Sequence, residues 1–195
     1  MTDTRLAIEW SSTQLSMAWQ CGGELHEEVM TLKRFQAELA LPRLEALLSQ
    51  ISQPSEIRVG RGPGNYSGIR QALAWSFGYC APGNVRLKAF SSGCAQAHRI
   101  AQTVDGPFVI LGDARRGVWW GRIFSVSEDM GWQLKSPGQW TEDIQGMPVY
   151  SQEAVRFSQA SFPVIEDFPS AGDLLNMSDD AEMEDPSPLY LHPPV

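Results

Sequence analysis

Three strand patterns occupy residues 5–31 before any helical pattern appears, and this order constrains the fold more than any other feature of the chain. Residues 5–10 read as the first strand. Residues 15–20 read as the second, with Leu15, Met17 and Trp19 alternating against Ser16, Ala18 and Gln20. Gly22-Gly23 turns the chain into a third strand at 25–31. The period then becomes helical. Phe35, Leu39, Leu44, Leu47, Leu48 and Ile51 share a face, and Pro42 marks a start or a kink within it. A short strand at 57–59, a helix at 67–79 and a strand at 85–90 follow. Ser91 or Ser92 can cap a helix reaching about Ile100. Strands at 108–111 and 118–126 are joined by the turn at 113–117, and residues 131–134 extend the second into a hairpin.

The order β-β-β-α-β-α-β-α, then more β, predicts a mixed sheet with helices on both faces. It is the pattern of a ribonuclease-H-like unit, the half-module of the actin-like and sugar-kinase-like ATPases (the sugar kinase–Hsp70–actin type). A second unit begins at Phe108, but the remaining chain is short and rich in Pro, Gly and Ser. The expected division is an N-terminal lobe at 1–104 and an abbreviated C-terminal lobe at 105–195, the latter carrying an acidic segment and the tail.

Composition narrows the class further. Hydrophobic residues at 43% and charged residues at 19% exclude wholesale disorder. The apolar runs are too short to span a bilayer, so no membrane partner is expected. Met1-Thr2-Asp3-Thr4-Arg5 lacks the basic and apolar regions of a secretion signal. Cys21, Cys80 and Cys94 are too widely spaced for a disulfide framework or a metal clip, and a reducing cytoplasm is the expected compartment. The formal net charge is −8, from 15 Lys+Arg against 23 Asp+Glu. The excess is local: the stretch 166–185 holds Glu166, Asp167, Asp173, Asp179, Asp180, Glu182, Glu184 and Asp185 with no Lys or Arg. Such a chain repels phosphate backbones, so any contact with RNA is expected to come through a partner.

The most informative string is Gly60, Arg61, Gly62, Pro63, Gly64, Asn65, Tyr66, Ser67, Gly68, Ile69, Arg70, set between a strand and a helix. Glycine permits positive φ and close backbone approach. The free N–H groups of a helix starting near Ser67 favour a carboxylate or phosphate. The string is nevertheless neither standard phosphate loop: it has no Lys-Ser/Thr pair, and no frame gives G-x-G-x-x-G. A tight turn with an N-cap accounts for it equally well.

Rival chemistries find less support. His26, His98 and His192 are too scattered for a helical His-x-x-x-His metal pair. A two-metal nuclease needs converging carboxylates; Glu9 and Asp113 are two candidates, but the fourth strand ends at Gly60 without an acid and the helix at 35–51 offers only Glu38 and Glu45. Ala74-Trp75-Ser76-Phe77-Gly78 is a loose nucleophile elbow, but it lies inside a predicted helix rather than after a strand. The turn Trp10-Ser11-Ser12-Thr13-Gln14 offers hydroxyls to a phosphate, yet it lacks glycine, and Trp10 obstructs it. A plain hairpin turn is the simpler account. Trp119-Trp120 lie on a strand, so at most one can face solvent as a base-stacking platform.

The Gly60–Arg70 string closely resembles the signature of the bacterial TsaB family, also called YeaZ. Leu6-Ala7-Ile8-Glu9 resembles that family's first strand, Asp113-Ala114-Arg115-Arg116-Gly117-Val118-Trp119-Trp120 its Asp-Ala-Arg turn, and Pro188-Leu189-Tyr190-Leu191 its carboxyl-terminal tail. The resemblance covers about residues 5–124 and the last eight residues. It implies an actin-like, two-lobed fold. It also implies a catalytically silent subunit that holds a paralogous, metal-bearing TsaD-like catalytic subunit, with a small TsaE-like ATPase completing the set. Together they make threonylcarbamoyladenosine on tRNA.

On that resemblance the tRNA is reached only through the complex, and a homodimer is the other expected assembly. No cofactor or metal is implied beyond weak nucleotide binding. Glu9 and Trp10 depart from the family's Asp and small residue; a larger acid and an indole narrow any cleft there. Glu9, Ser11, Ser12, Asp113 and Arg115 are the candidates for a vestigial cleft. An interface patch is expected on the helices at 35–51 and 67–79, with Ala72 and Leu73 in it. Arg61 or Arg70 is expected to pair with an acid, Asp113 being the candidate. The alternative class is an enzyme: a vestigial actin-like ATP-binding phosphotransferase or a peptidase-like hydrolase.

Overall fold

The computed structural model describes residues 3–32, 37–125, 130–178 and 185–191. Two compact units emerge, one from Met1–Gln96 and Pro169–Leu189, the other from Ala97–Phe168 and Tyr190–Val195.

The first unit is built on a five-stranded sheet of order β3-β2-β1-β4-β5. Its strands are β1 (Thr4–Glu9), β2 (Gln14–Cys21), β3 (Glu24–Thr31), β4 (Glu56–Gly60) and β5 (Arg86–Phe90). The first three pair antiparallel, as short turns demand, and β4 and β5 add in parallel through helical crossovers. The alternation predicted for residues 15–20 sends Leu15 and Met17 to one face with Leu6, Ile8, Ile57 and Val59. That face is covered by α1 (Ala40–Leu48) and α2 (Tyr66–Cys80). The helix expected at 35–51 is shorter: a 3-10 turn at Ala37–Leu39 leads into α1, and Phe35 lies outside the described residues. Pro42 sits in the first turn of α1, where its missing N–H has no intrahelical partner to lose.

The opposite face of this sheet carries Ala7, Ala18 and Phe90 beside buried Glu9, Ser16, Glu56 and Arg58. It is closed by α3 (Ser92–Ile100) through Ala95 and by the short α5 (Ala171–Leu175). α5 is held at both ends. The Ser16 hydroxyl accepts from Ala171 N at 2.9 Å, and Glu27 Oε1 accepts from Gly172 N at 3.0 Å. At the other end Arg58 donates to the carbonyls of Leu174, Leu175 and Met177 at 3.1, 3.3 and 2.6 Å. An acid at the helix start and a guanidinium at its end complement the backbone partial charges.

The second unit repeats the plan. Strands β6 (Phe108–Asp113), β7 (Trp119–Phe124), β8 (Gln133–Lys135), β9 (Val149–Ser151) and β10 (Ile165–Glu166) form a sheet of order β10-β9-β6-β7-β8. Again the first three are antiparallel and the last two parallel. The abbreviation lies in length: β8 and β9 have three residues each and β10 two. One helix, α4 (Pro137–Ile144), precedes β9, and a 3-10 turn at Ala154–Phe157 replaces a long helix after it. α4 starts with a capping box between Ser136 and Gln139 and a Pro at its first turn.

The boundary expected at 104–105 is therefore corrected. Ala97 and Ile100 belong to the second unit's core with Phe108, Ile110 and Trp120. Residues 169–189, expected in the C-terminal lobe, belong to the first unit, because α5 supplies the apolar and backbone partners of its polar sheet face. Asp179, Asp180, Glu182 and Glu184 of the acidic stretch lie outside the described residues. No helix of the described residues is long and apolar enough to cross a membrane.

Candidate functional site

The parallel strands β1, β4 and β5 end side by side at Glu9, Gly60 and Phe90. Ligands of open α/β sheets bind beyond such carboxyl ends. Three segments meet there: the β1–β2 turn, the glycine loop after β4, and the turn into α3.

Glu9 is fully buried. Its Oε1 accepts from Ser11 N at 2.6 Å. Burial pushes its carboxyl above the ordinary range; the Ser11 and Ser92 hydroxyls and the Ser11 N–H pull back, and the charge of Asp173 adds to the rise. The carboxyl fits only because β4 ends in glycine. A Cβ at Gly60 would overlap Glu9 Oε2 and come within 2.6 Å of the Ser92 hydroxyl.

The loop beyond Gly60 is tied down on both sides. Gly62 N donates to the Ser92 hydroxyl at 3.0 Å, and Gly62 O accepts from Ser92 N at 2.9 Å. Arg61 N donates to Phe90 O at 2.9 Å. Gly62 takes φ +98°, and a Cβ there would strike Ile69, so this position needs glycine twice over. Asn65 then joins the loop to the β1–β2 turn: its backbone N donates to Ser11 O at 2.6 Å and its Nδ2 to Ser12 O at 3.2 Å. Asn65 is the N-cap residue of α2 by position, but its side chain serves the turn and not the helix. Ser67, read as the start of the helix, lies exposed in its first turn.

The β1–β2 turn is a closed hairpin. Ser11 and Ser12 are buried, and the Ser12 hydroxyl accepts from Gln14 N at 2.9 Å and donates to Gln14 O at 3.1 Å. Trp10 does not stand over a cleft. It lies in the core beneath α2, and Gly68 is glycine because a Cβ there would overlap the Trp10 carbonyl and meet its indole at 2.9 Å.

α2 presents two unlike faces. Gly68, Ile69, Ala72, Leu73 and Ser76 are buried against the sheet. Ala72 and Leu73, expected in an interface, are each only 3% exposed, which corrects that expectation: the helical period turns them inward with Ile69. The outward face carries Tyr66, Ser67, Arg70, Ala74, Phe77 and Gly78. Tyr66 and Phe77 are each 45% exposed. Arg70 stacks on the Tyr66 ring at 5.2 Å and donates to its hydroxyl at 2.7 Å. Trp75 and Tyr79 stack at 5.0 Å along the flank. Between α2 and α1 lies a small apolar gap of about 10 Å³, floored by the buried Ile8, Trp10 and Met17, and Leu39 and Leu41 on the α1 side are 48% and 45% exposed. Ser76 lies within α2 and donates to Ala72 O at 2.8 Å, as any buried helical serine does.

Asp113 and Arg115 belong to the second unit's charged corner. Asp113 accepts from Arg115 and Arg156 at 3.2 and 3.1 Å, and Glu153 pairs with the same two arginines. The expected pairing of Asp113 with Arg61 or Arg70 is corrected: Arg115 and Arg156 of its own unit hold Asp113, while Arg61 donates to Ser187 O and Arg70 to Tyr66. Trp120 is buried on one side of β7, and Trp119 packs edge-on against Phe157 on the other. Among the described residues no three His, Cys, Asp or Glu side chains converge as metal ligands.

Two five-stranded mixed sheets of equivalent topology define an actin-like fold of abbreviated, two-unit form. Within that class the chain has the fold of YeaZ from Pseudomonas aeruginosa: 21% identity over 97% of this chain and 100% of that one, with a TM-score of 0.72. A second solved structure, described as an uncharacterized protein with similarity to the peptidase YeaZ from Pseudomonas aeruginosa, aligns over the same shares at 21% identity and a TM-score of 0.75. No protein-family model and no curated protein matches the sequence.

Proposed function

We propose that this chain is a TsaB-type scaffold, catalytically silent itself, that docks a TsaD-like catalytic subunit for tRNA threonylcarbamoylation. The observation that carries the reading is the outward face of α2. A helix of 15 residues, about 22 Å long, turns aromatic and small residues to solvent. Tyr66 and Phe77, each about half exposed on that one face, are the kind of side chain an interface covers. Small residues at Ala74 and Gly78 let a second helix approach closely, and Tyr66, Phe77 and Arg70 are residue types that anchor interfaces.

The closed β1–β2 turn supports the silent role. The Ser12 hydroxyl bonds within the turn, and the Glu9 carboxyl is fully buried beneath Gly60. A TsaE-like ATPase completes the set, and tRNA is met through the partner, as the acidic charge of this chain requires. Isothermal titration of a purified TsaD-like protein with this chain tests the reading. Saturable binding that Phe77→Arg weakens, with an unchanged melting temperature, supports it. Binding that is absent, or indifferent to α2, overturns it.

A further inference from the structure

The glycine string at 60–70 and the tail piece at 188–191 touch each other in the structure. Leu189 N donates to Arg61 O at 2.8 Å, and Arg61 Nε donates to Ser187 O at 2.9 Å. One residue of the glycine loop thus reads two backbone groups, two positions apart, one through its own carbonyl and one through its guanidinium. The position beside it is glycine, so no side chain stands between the loop and the segment: the Leu189 carbonyl lies 3.5 Å from where a Gly62 Cβ would be.

The segment's backbone is restricted by its own sequence. Pro186 and Pro188 fix φ on either side of Ser187. Asp185 accepts from Ser187 N at 3.2 Å and from its hydroxyl at 3.1 Å, which holds the turn. A preorganised peptide loses little freedom on docking. Yet its grip on the first unit is light. Ser187 is exposed, and Pro188 and Leu189 are only half-buried. α5, by contrast, is anchored by buried residues at both ends.

We propose that Arg61 and Gly62 form a peptide-binding slot whose ligand is the chain's own Asp-Pro-Ser-Pro-Leu segment, held reversibly. The slot takes an extended, proline-flanked peptide by its backbone. Its occupancy orders the loop that leads into α2. The proposal stands apart from the docking reading, since it is tested without any partner protein.

The test removes residues 186–195 and returns the segment as a peptide spanning Asp185–Leu191. Binding is followed by amide NMR of the truncated chain. Saturable shifts centred on Arg61, Gly62 and Asn65, weakened at least about tenfold by Arg61→Ala, are the expected result. Absence of binding to a truncated chain that melts as the full one does overturns the proposal. Should the truncated chain not fold, hydrogen exchange at Leu189 in the full-length Arg61→Ala variant decides. Exchange at least about tenfold faster than in the parent supports the slot, and unchanged exchange refutes it.

Discussion

Glu9 and Gly60 share one slot: the carboxyl at the end of β1 occupies the space that any side chain at the end of β4 would need. Strands β1 and β4 are hydrogen-bonded neighbours, so neither can move aside without breaking the parallel ladder. Gly60→Ala is therefore expected to destabilise by about 1–3 kcal/mol, the scale of overpacking. Shortening the acid restores room, so Glu9→Asp in the same chain should recover part of the loss. Urea denaturation of the two single variants and the double variant gives the coupling.

The same slot predicts a pH dependence. Burial raises the Glu9 carboxyl above its unfolded value, so the folded chain holds a proton that the unfolded chain releases first. The stability tied to that proton is complete below the unfolded carboxyl value. It is lost as pH rises towards the folded one, at up to about 1.4 kcal/mol per pH unit. Glu9→Gln keeps the shape without the titration. Melting curves from pH 4 upward should show the parent losing stability relative to Glu9→Gln; parallel profiles would contradict the upward shift of the Glu9 carboxyl.

Arg58 is fully buried and bound to Glu56 at 2.8 Å, to three carbonyls at the end of α5, and to the Phe90 ring at 5.5 Å. Arg58→Met leaves Glu56 and those carbonyls short of their donor, with an expected cost of about 3–5 kcal/mol. Arg58→Lys should recover little, since an ammonium cannot reproduce the planar fork. Chemical denaturation measures both, and hydrogen exchange in α5 should rise first.

Much of this was legible in the sequence, for physical reasons that also mark its limits. The alternation of Leu15, Met17 and Trp19 and the glycines at 22 and 23 gave the first hairpins, because period and turn chemistry are local. The glycine string stood out for the same reason. Its structural causes did not, since Glu9 against Gly60, Trp10 against Gly68 and Leu189 on Arg61 are contacts across long stretches of chain. Arg58 carries a local signal of its own: a lone arginine between Ile57 and Val59 of a buried strand must have partners. The inward turn of Ala72 and Leu73 follows from the spacing of Ile69 and Ser76 once the sheet face is known. β9 and β10 escaped because two- and three-residue strands show no period.

The two faces of α2 give a separate pair of outcomes. Leu73→Arg places a charge in the core and should unfold the first unit or cost several kcal/mol, on the order of 3–5. Ala74→Arg, one residue on and exposed, should change the melting temperature by less than about 0.5 kcal/mol equivalent. Differential scanning calorimetry of the two variants separates them.

Reconstituted tRNA threonylcarbamoylation by a TsaD-like protein and its ATPase, with and without this chain, tests the central reading most directly. The account predicts that product forms only when the chain is present. It predicts that Ser67→Ala supports the reaction as the parent does, and that Phe77→Arg abolishes it while remaining folded. Full activity with Phe77→Arg, together with loss of several orders of magnitude in a folded, partner-binding Ser67→Ala, would mean that the glycine loop performs chemistry and that α2 is not the docking surface.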